Sequence, residues 1–191
     1  ERIRTLALAQ IDQLPSPEKT RLVADLVRLL KMTRSTERKR ASQALAKIGS
    51  PAVVSLIKLL EDEDWEIRYW AAVAIGQIGP VAKGAVPALM MVLKEEPLVS
   101  QITRTRQETV KSLGRIGASA VPALVEALNQ ESWELRSWAA QALAEIGPPA
   151  REAVPALAKA IRGQDALVRR DAAKALEAIG RNPEATSKIQ T

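Results

Sequence analysis

One dipeptide, Ile-Gly, recurs five times in this 191-residue chain and constrains its fold more than any other feature. Successive copies are 30, 38, 30 and 33 residues apart, and an arginine stands eleven residues before each glycine. Repetition at such a period indicates a repeat architecture, in which neighbouring units complete each other's core. The five glycines are Gly49, Gly79, Gly117, Gly147 and Gly180.

Each repeat contains two segments with helical periodicity. Their apolar residues stand at i, i+3, i+4 and i+7, which lines one face of an α-helix. In the second repeat these residues are Val53, Leu56, Ile57 and Leu60 in the first segment, and Ala71, Ala74, Ile75 and Ile78 in the second. We call the two predicted helices A and B. The glycine is expected to end helix B in a left-handed conformation, and Pro80 or Pro148 prevents its continuation.

The pattern predicts an all-α solenoid of five antiparallel helical hairpins that stack as an α-α superhelix, in one domain over 1–191. The hairpins are expected at 17–49, 50–79, 80–117, 118–147 and 148–180. One more helix is predicted in 1–14, which makes eleven, and 181–191 is a tail. The chain begins at Glu1 without a methionine, so we expect it to be part of a larger chain or complex.

The chain has no cysteine and no histidine. This excludes thiolate metal sites, cysteine nucleophiles and histidine bases, so we predict no metal, no cofactor and no enzymatic activity. Asp64, Ser132 and Asp165 precede B segments and are interpreted as N-caps. The longest apolar run, 85–93, has nine residues, whereas a membrane-spanning helix needs about 20. We predict no membrane span and a cytoplasmic location.

The net charge of +6 is concentrated in residues 1–47, because the remainder of the chain is neutral. This end of the chain carries a basic patch that suits nucleic acid or an acidic protein. The alternative is a solvated face at the end of a solenoid. Members of the patch are Arg34, Arg38, Lys39, Arg40 and Lys47.

A longer repeat is superimposed on the shorter one. Residues 49–94 align without a gap to 117–162, and 22 of the 46 positions are identical. The alignment pairs Trp65 with Trp133 and Trp70 with Trp138. A block of two repeats has therefore been duplicated, and a functional feature of one block is expected to have a counterpart on the other.

The stretches IRYWAAVAIGQIG, LRSWAAQALAEIG and VRRDAAKALEAIG carry one shared signature. The signature resembles the HEAT-like repeats first named from phycobilisome lyases, and the match covers 17–180. This resemblance implies an armadillo-type, right-handed superhelix and a protein-binding or scaffolding role. A phycobilin lyase or chaperone-like subunit, and a nucleic-acid-binding domain, are alternatives. The resemblance also implies a structural ladder that bridges turn carbonyls or acids, formed by Arg38, Arg68, Arg106, Arg136 and Arg169.

In the family, the B helices line the concave face, and partners are contacted 14, 13, 10, 9, 6 and 2 residues before the closing glycine. All five aromatic residues of this chain fall on such positions. The resemblance thus implies a protein or peptide site at Trp65, Tyr69, Trp70, Arg104, Gln107, Lys111, Arg115, Trp133 and Trp138. The alternative is that the rings fill gaps in an alanine-rich core.

The third repeat has a longer connection between its helices. The distance from the last aliphatic residue of helix A to the arginine of helix B is thirteen residues there, against eight elsewhere. Leu98, Val99 and Ile102 are expected to be exposed in this segment. A functional loop and a neutral insertion both fit this pattern.

Overall fold

The computed structural model describes residues 11, 13–32, 35–95 and 100–181, and within them it contains ten α-helices and no strand. The predicted all-α solenoid is confirmed. The A helices are α1 (Ser16–Met32), α3 (Val53–Leu59), α5 (Val86–Glu95), α7 (Val121–Ala127) and α9 (Val154–Ile161). The B helices are α2 (Ser35–Ile48), α4 (Trp65–Ile78), α6 (Ser100–Ile116), α8 (Trp133–Ile146) and α10 (Ala166–Gly180). The helix predicted in 1–14 lies almost entirely outside the described residues.

The core is one continuous cluster of buried residues that runs through all five hairpins. Each A helix packs on the B helix of its own hairpin, and each B helix packs on the next B helix along the chain. Leu56 and Ile75, from the two predicted apolar faces of the second repeat, are fully buried. Ile57, at the i+4 position of α3, is only half-buried. The apolar face of α3 is therefore narrower than the predicted one.

The glycines that close the hairpins take positive φ angles, as predicted, at four of the five positions. Gly79 has φ 71° and ψ −138°, and Gly147 has φ 67° and ψ −138°. The predicted left-handed helical conformation is wrong, because that conformation needs a positive ψ. The observed region is one that residues with a Cβ rarely adopt. A 3-10 turn, such as Gly79–Ala85, then leads into the next A helix.

Gly180 is the exception, because α10 continues through it without a positive φ. The other closing glycines each redirect the chain into a following A helix. No A helix follows α10 among the residues that the structure describes.

Two of the three predicted N-caps are confirmed. The carboxylate of Asp64 accepts a hydrogen bond from the backbone N–H of Glu66 at 2.9 Å. The hydroxyl of Ser132 accepts one from the N–H of Leu135 at 3.1 Å. Asp165 stands at the cap position of α10 but makes no capping bond. Its carboxylate instead accepts a hydrogen bond from Arg136 Nη2 at 2.6 Å, so the prediction for Asp165 is wrong.

The insertion in the third repeat lengthens helices more than it lengthens a loop. Helix α5 extends two residues beyond Leu93, and α6 begins three residues earlier, relative to its closing glycine, than α4 does. Ile102 is therefore helical and does not lie in a loop, because an existing helix adds a hydrogen bond with each further residue. Leu98 and Val99 lie outside the described residues.

The run Trp65–Lys94 is long and apolar enough to span a membrane by length and composition. The positive φ of Gly79 and the 3-10 turn after it divide this run into α4 and α5. Its apolar side chains, among them Ile75 and Leu89, belong to the core of the solenoid. The run is therefore two core helices and their connection.

Candidate binding face on the B helices

The predicted contact positions lie on the B helices, and we call them together the B face. On α4, Trp65, Tyr69 and Trp70 are each half-buried. The rings of Tyr69 and Trp70 meet edge to face, with centroids 5.0 Å apart and planes at 76°. On α8, Trp133 is 38% exposed and Trp138 is half-buried. The structure thus leaves part of the surface of each ring accessible.

Trp70 and Trp138 pack against the core cluster with part of their surface. The two tryptophans occupy equivalent positions in the duplicated blocks. The alanine that follows each of them, Ala71 or Ala139, is fully buried. The indole Nε1 of Trp70 is buried and has no hydrogen-bond acceptor among the described residues. These rings therefore contribute to packing while they keep an open side, and their role in binding stays a prediction. A change of either ring to alanine is expected to lower stability as well.

The B face of α6 is polar. Arg104, Gln107, Lys111 and Arg115 are all exposed there. Glu108 occupies the same position in α6 that Trp70 has in α4, but it is only 8% exposed. Its two carboxylate oxygens lie 3.4 Å from Lys111 Nζ and 3.4 Å from Arg115 Nη1. Two exposed cations of the face therefore share one buried carboxylate.

The fifth repeat also has a buried carboxylate at this position. Asp171 of α10 is only 2% exposed. It accepts hydrogen bonds from Ser137 Oγ at 2.6 Å, Gln141 Nε2 at 2.8 Å and Arg170 Nε at 2.8 Å. Ser137 and Gln141 belong to α8, so this cluster joins the fourth repeat to the fifth. The cluster was not predicted from the sequence.

The surroundings of Asp171 act on its pKa in opposite directions. Burial raises the pKa, but hydrogen bonds from Arg170, Ser137 and Gln141, together with the charge of Arg170, outweigh it. The net effect holds the pKa of Asp171 below its ordinary value. Asp171 is therefore ionised near neutral pH and serves as an acceptor within the fold.

The position nine residues before each closing glycine thus alternates in chemistry along the solenoid. Even-numbered repeats have a tryptophan there, and odd-numbered repeats have a charged residue. In chain order these residues are Arg40, Trp70, Glu108, Trp138 and Asp171. The duplication accounts for the two tryptophans, but the carboxylates of the odd repeats become visible as internal groups only in the structure.

The repeated arginines lie at the A–B turns. Arg68 Nη1 donates to the carbonyls of Asp62 at 2.6 Å and Glu63 at 2.9 Å. Arg136 and Arg169 donate to two turn carbonyls each in the same way, and Arg136 also pairs with Asp165 of the next repeat. Arg106 is only 5% exposed. These arginine side chains therefore make their contacts within the solenoid.

The predicted basic patch is smaller in the structure than in the sequence. The side chain of Arg38 is 11% exposed and pairs with Asp64 at 2.8 Å and Glu66 at 2.9 Å, both from the next repeat. Arg38 is therefore an internal bridge, and its assignment to a partner-facing patch is wrong. Lys39, Arg40 and Lys47 are exposed on α2. Arg34 lies outside the described residues.

The B face offers surfaces for contact, and the described residues hold no group of three or more acidic side chains able to bind a metal ion. Partly exposed aromatic rings can contact apolar side chains, and exposed cations can contact carboxylates or phosphates. The arrangement is suited chemically to the recognition of another molecule.

Comparison with known proteins agrees with this fold. A family model described as HEAT repeats matches residues 23–105 and 98–177. No curated protein matches the sequence. Similar solved structures include the complex of CpcE and CpcF of phycocyanin lyase from Nostoc sp. PCC7120. The sequence identity is 17%, the match covers 81% of this chain and 97% of that chain, and the TM-score is 0.57. An engineered protein matches with 23% identity, 91% and 89% coverage, and a TM-score of 0.50. A designed armadillo repeat protein in complex with the peptide (KR)4 matches with 24% identity, 93% and 91% coverage, and a TM-score of 0.48.

Proposed function

Because the chain belongs to the HEAT-repeat family, we propose that it is a protein-binding module that holds a polypeptide partner across the B face. One observation carries the proposal. The four tryptophans and the one tyrosine of the chain all lie on α4 and α8, at B-face positions, and their rings are partly open. Aromatic rings that are placed at random would also occur on the A helices.

Tryptophan and tyrosine suit this role for physical reasons. They bury a large area at a low cost in side-chain entropy, and they dominate the energetic hot spots of protein interfaces. Trp133, which is 38% exposed, offers the most open ring among the tryptophans. Trp65 stands at the same position one block earlier. The duplicated block therefore supplies two aromatic anchors, and the polar B face of α6 lies between them.

A binding role without catalysis fits the residues better than an enzyme does. The chain lacks histidine and cysteine, and its two most buried B-face carboxylates, Glu108 and Asp171, accept contacts from neighbouring donors. The likeness to the CpcE–CpcF complex is at 17% identity, so it supports the fold and not a lyase activity. The cytoplasmic location stays a prediction.

The proposal is tested by selecting partners and mapping where they bind. A library that displays segments of the proteins of the source organism is panned against the intact chain. The most enriched segments are labelled, and their dissociation constants are measured for the parent chain and for Trp133→Ala. Truncation of a hot-spot tryptophan costs at least about 2 kcal/mol, so we expect binding to weaken by more than tenfold.

The matched control is Met91→Ala. Met91 is 50% exposed on α5, an A helix, so the change removes a comparable apolar surface away from the B face. We expect this variant to bind the segments as the parent does. Equal affinity of the parent and Trp133→Ala for every enriched segment, or a library without enriched segments, would refute the proposal.

A further inference from the structure

The exposed charges of the B face are mainly positive. The cations occur on the odd-numbered repeats, in rows on α2, α6 and α10. They are Lys39, Arg40 and Lys47 on α2, Arg104, Lys111 and Arg115 on α6, and Arg170 and Lys174 on α10. The aromatic residues occur on α4 and α8, between these rows. Basic and aromatic rows therefore alternate along the solenoid.

Most carboxylates of the B face are occupied within the fold. Glu108 and Asp171 are buried beneath the cations that contact them, and Glu66 pairs with Arg38 at 2.9 Å. The other two lie on α8, where Glu134 is half-buried and accepts a hydrogen bond from Ser132 Oγ at 2.8 Å, and Glu145 is exposed. The sequence alone predicts a face of mixed charge, because these carboxylates stand at contact positions. Three of the five carboxylates are thus paired within the fold, and eight cations against five carboxylates leave the face with a net charge of +3.

The spacing of the rows restricts what can bind across them. Packed helices lie about 8–10 Å apart, so successive basic rows are separated by roughly 20 Å, with an aromatic row midway. An extended polypeptide advances about 3.3 Å per residue and therefore covers that distance in about six residues. Acidic residues about six apart, with apolar residues halfway between them, would meet the basic and the aromatic rows in turn.

A nucleic acid fits the same rows less well. Duplex DNA carries one charge for about every 1.7 Å of its axis, without interruption. A backbone laid across the B face would bring phosphates onto α8, where Glu134 and Glu145 lie and where the B-face positions contain no lysine or arginine. Like charges that face each other disfavour such a contact. A polypeptide can vary its charge from residue to residue and avoid this repulsion.

We propose that the partner of the B face is an extended acidic segment, in which carboxylates about six residues apart alternate with apolar side chains. The carboxylates pair with the basic rows, above all with Arg104, Lys111 and Arg115 of α6. The apolar side chains contact the aromatic rows of α4 and α8. This inference rests on the proposed function, since it names the class of partner for the same face.

The test uses the enriched segments of the displayed library. We expect them to be net acidic and to show the alternation, and we expect a fluorescein-labelled copy of the most enriched one to bind more weakly as the salt concentration rises. Arg104→Glu should weaken its binding by about tenfold, because it reverses a charge at the contact. Glu108→Gln should strengthen binding several-fold, because it frees Lys111 and Arg115 from their internal carboxylate. Lys83→Glu, an exposed reversal outside the B face, should leave binding unchanged.

The outcomes separate this inference from the proposed function. If Trp133→Ala abolishes binding while Arg104→Glu and Glu108→Gln have no effect, the protein-binding proposal stands and the acidic partner is refuted. Enriched segments that are neutral or basic would refute it as well. If a 20-base-pair DNA duplex binds more tightly than the labelled segment in the same buffer, and Arg104→Glu abolishes that binding, the partner is nucleic acid. Circular dichroism of each variant verifies that it is folded.

Discussion

The hydroxyl of Ser137 donates a 2.6 Å hydrogen bond to the buried carboxylate of Asp171. Ser137 belongs to the fourth repeat and Asp171 to the fifth, so the bond crosses the boundary between them. In the first block of the duplication, the position of Ser137 is occupied by Tyr69. The two blocks share their helical frame but use it differently, one for an aromatic pair and the other for a polar connection to the end of the solenoid.

Replacement of this carboxylate by its amide should destabilise the fold in a pH-dependent way. At pH 7, we expect Asp171→Asn to lower the free energy of unfolding by about 1.5–3 kcal/mol, the range for hydrogen bonds to a charged group. The folded-state pKa of Asp171 is lowered, so its contribution is present above the unfolded pKa of about 3.9 and is lost as the pH falls through the folded pKa. Urea denaturation of parent and variant from pH 7 downwards should show the gap closing below about pH 4. The control is Glu177→Gln, an exposed change on the same helix. A stability difference between parent and Asp171→Asn that persists in acid would show that the ionised carboxylate is not the stabilising group.

The positive φ of the closing glycines can be tested separately from steric crowding. Gly49 has φ 77°, and a Cβ added to it would meet no atom within 4 Å. Gly84 has equally open space but no positive φ. We expect Gly49→Ala to cost about 1–3 kcal/mol through backbone strain, whereas Gly84→Ala should be neutral or slightly stabilising. Thermal unfolding measures both, and equal melting temperatures for the two variants would show that the strain is absent.

Close packing between α4 and α6 depends on a third glycine. A Cβ on Gly76 would lie 2.5 Å from Ser112 Oγ and 3.0 Å from its Cα. We expect Gly76→Ala to destabilise the protein by about 1–3 kcal/mol, because the two helices must separate. Ser112→Ala loses the 2.7 Å hydrogen bond to the carbonyl of Ala72 at a cost of about 1 kcal/mol. The same change also removes Ser112 Oγ, the atom that lies closest to the new Cβ of Gly76→Ala. In chemical denaturation, the double variant should therefore be more stable than the sum of the single effects predicts, and strict additivity would contradict this account.

One ion pair between repeats can be measured directly. Arg136 Nη2 lies 2.6 Å from Asp165 Oδ2, and the side chain of Asp165 is 40% exposed. A double-mutant cycle with Arg136→Ala and Asp165→Ala should give a coupling energy of about 0.5–1 kcal/mol, as is usual for an accessible pair. The coupling should decrease as the salt concentration is raised, because salt screens exposed charges. A coupling near zero would indicate that the pair does not persist in solution.

Much of the fold could be predicted from periodicity. Apolar residues at helical spacing identified most of the helices, because burial of an apolar face is what holds such helices together. In α6 two of the four positions are polar, Thr109 and Ser112, and the helix was predicted there from the repeat. Asp64 and Ser132 were predictable as caps from their position before a helix. The ψ angle of Gly79 was not predictable, since a helix end followed by a 3-10 turn differs from an isolated end. Nor was the loss of the cap at Asp165, which depends on a side chain 29 residues away.

The candidate site could be predicted only in part. The resemblance supplied the contact positions, and the structure places Trp133 and Arg104 on them with accessible surface. The resemblance could not distinguish charged side chains that face solvent from those that face a neighbouring side chain. Glu108, Asp171 and Arg38 look like surface residues in the sequence. In the structure each side chain is largely buried and is bonded to side chains of its own or a neighbouring B helix. Which charged groups of the face reach the solvent follows from these contacts, which a periodic pattern does not encode.

Intrinsic fluorescence reports directly on whether a partner covers the B face, because all four tryptophans of the chain lie there. Acrylamide quenching of their emission is measured for the free chain and for the chain saturated with the most enriched displayed segment. A partner that covers the face excludes the quencher, so we expect a clear fall in the Stern–Volmer constant on saturation. An unchanged constant at full saturation would show that the segment binds elsewhere, and the B face would then not be the binding site.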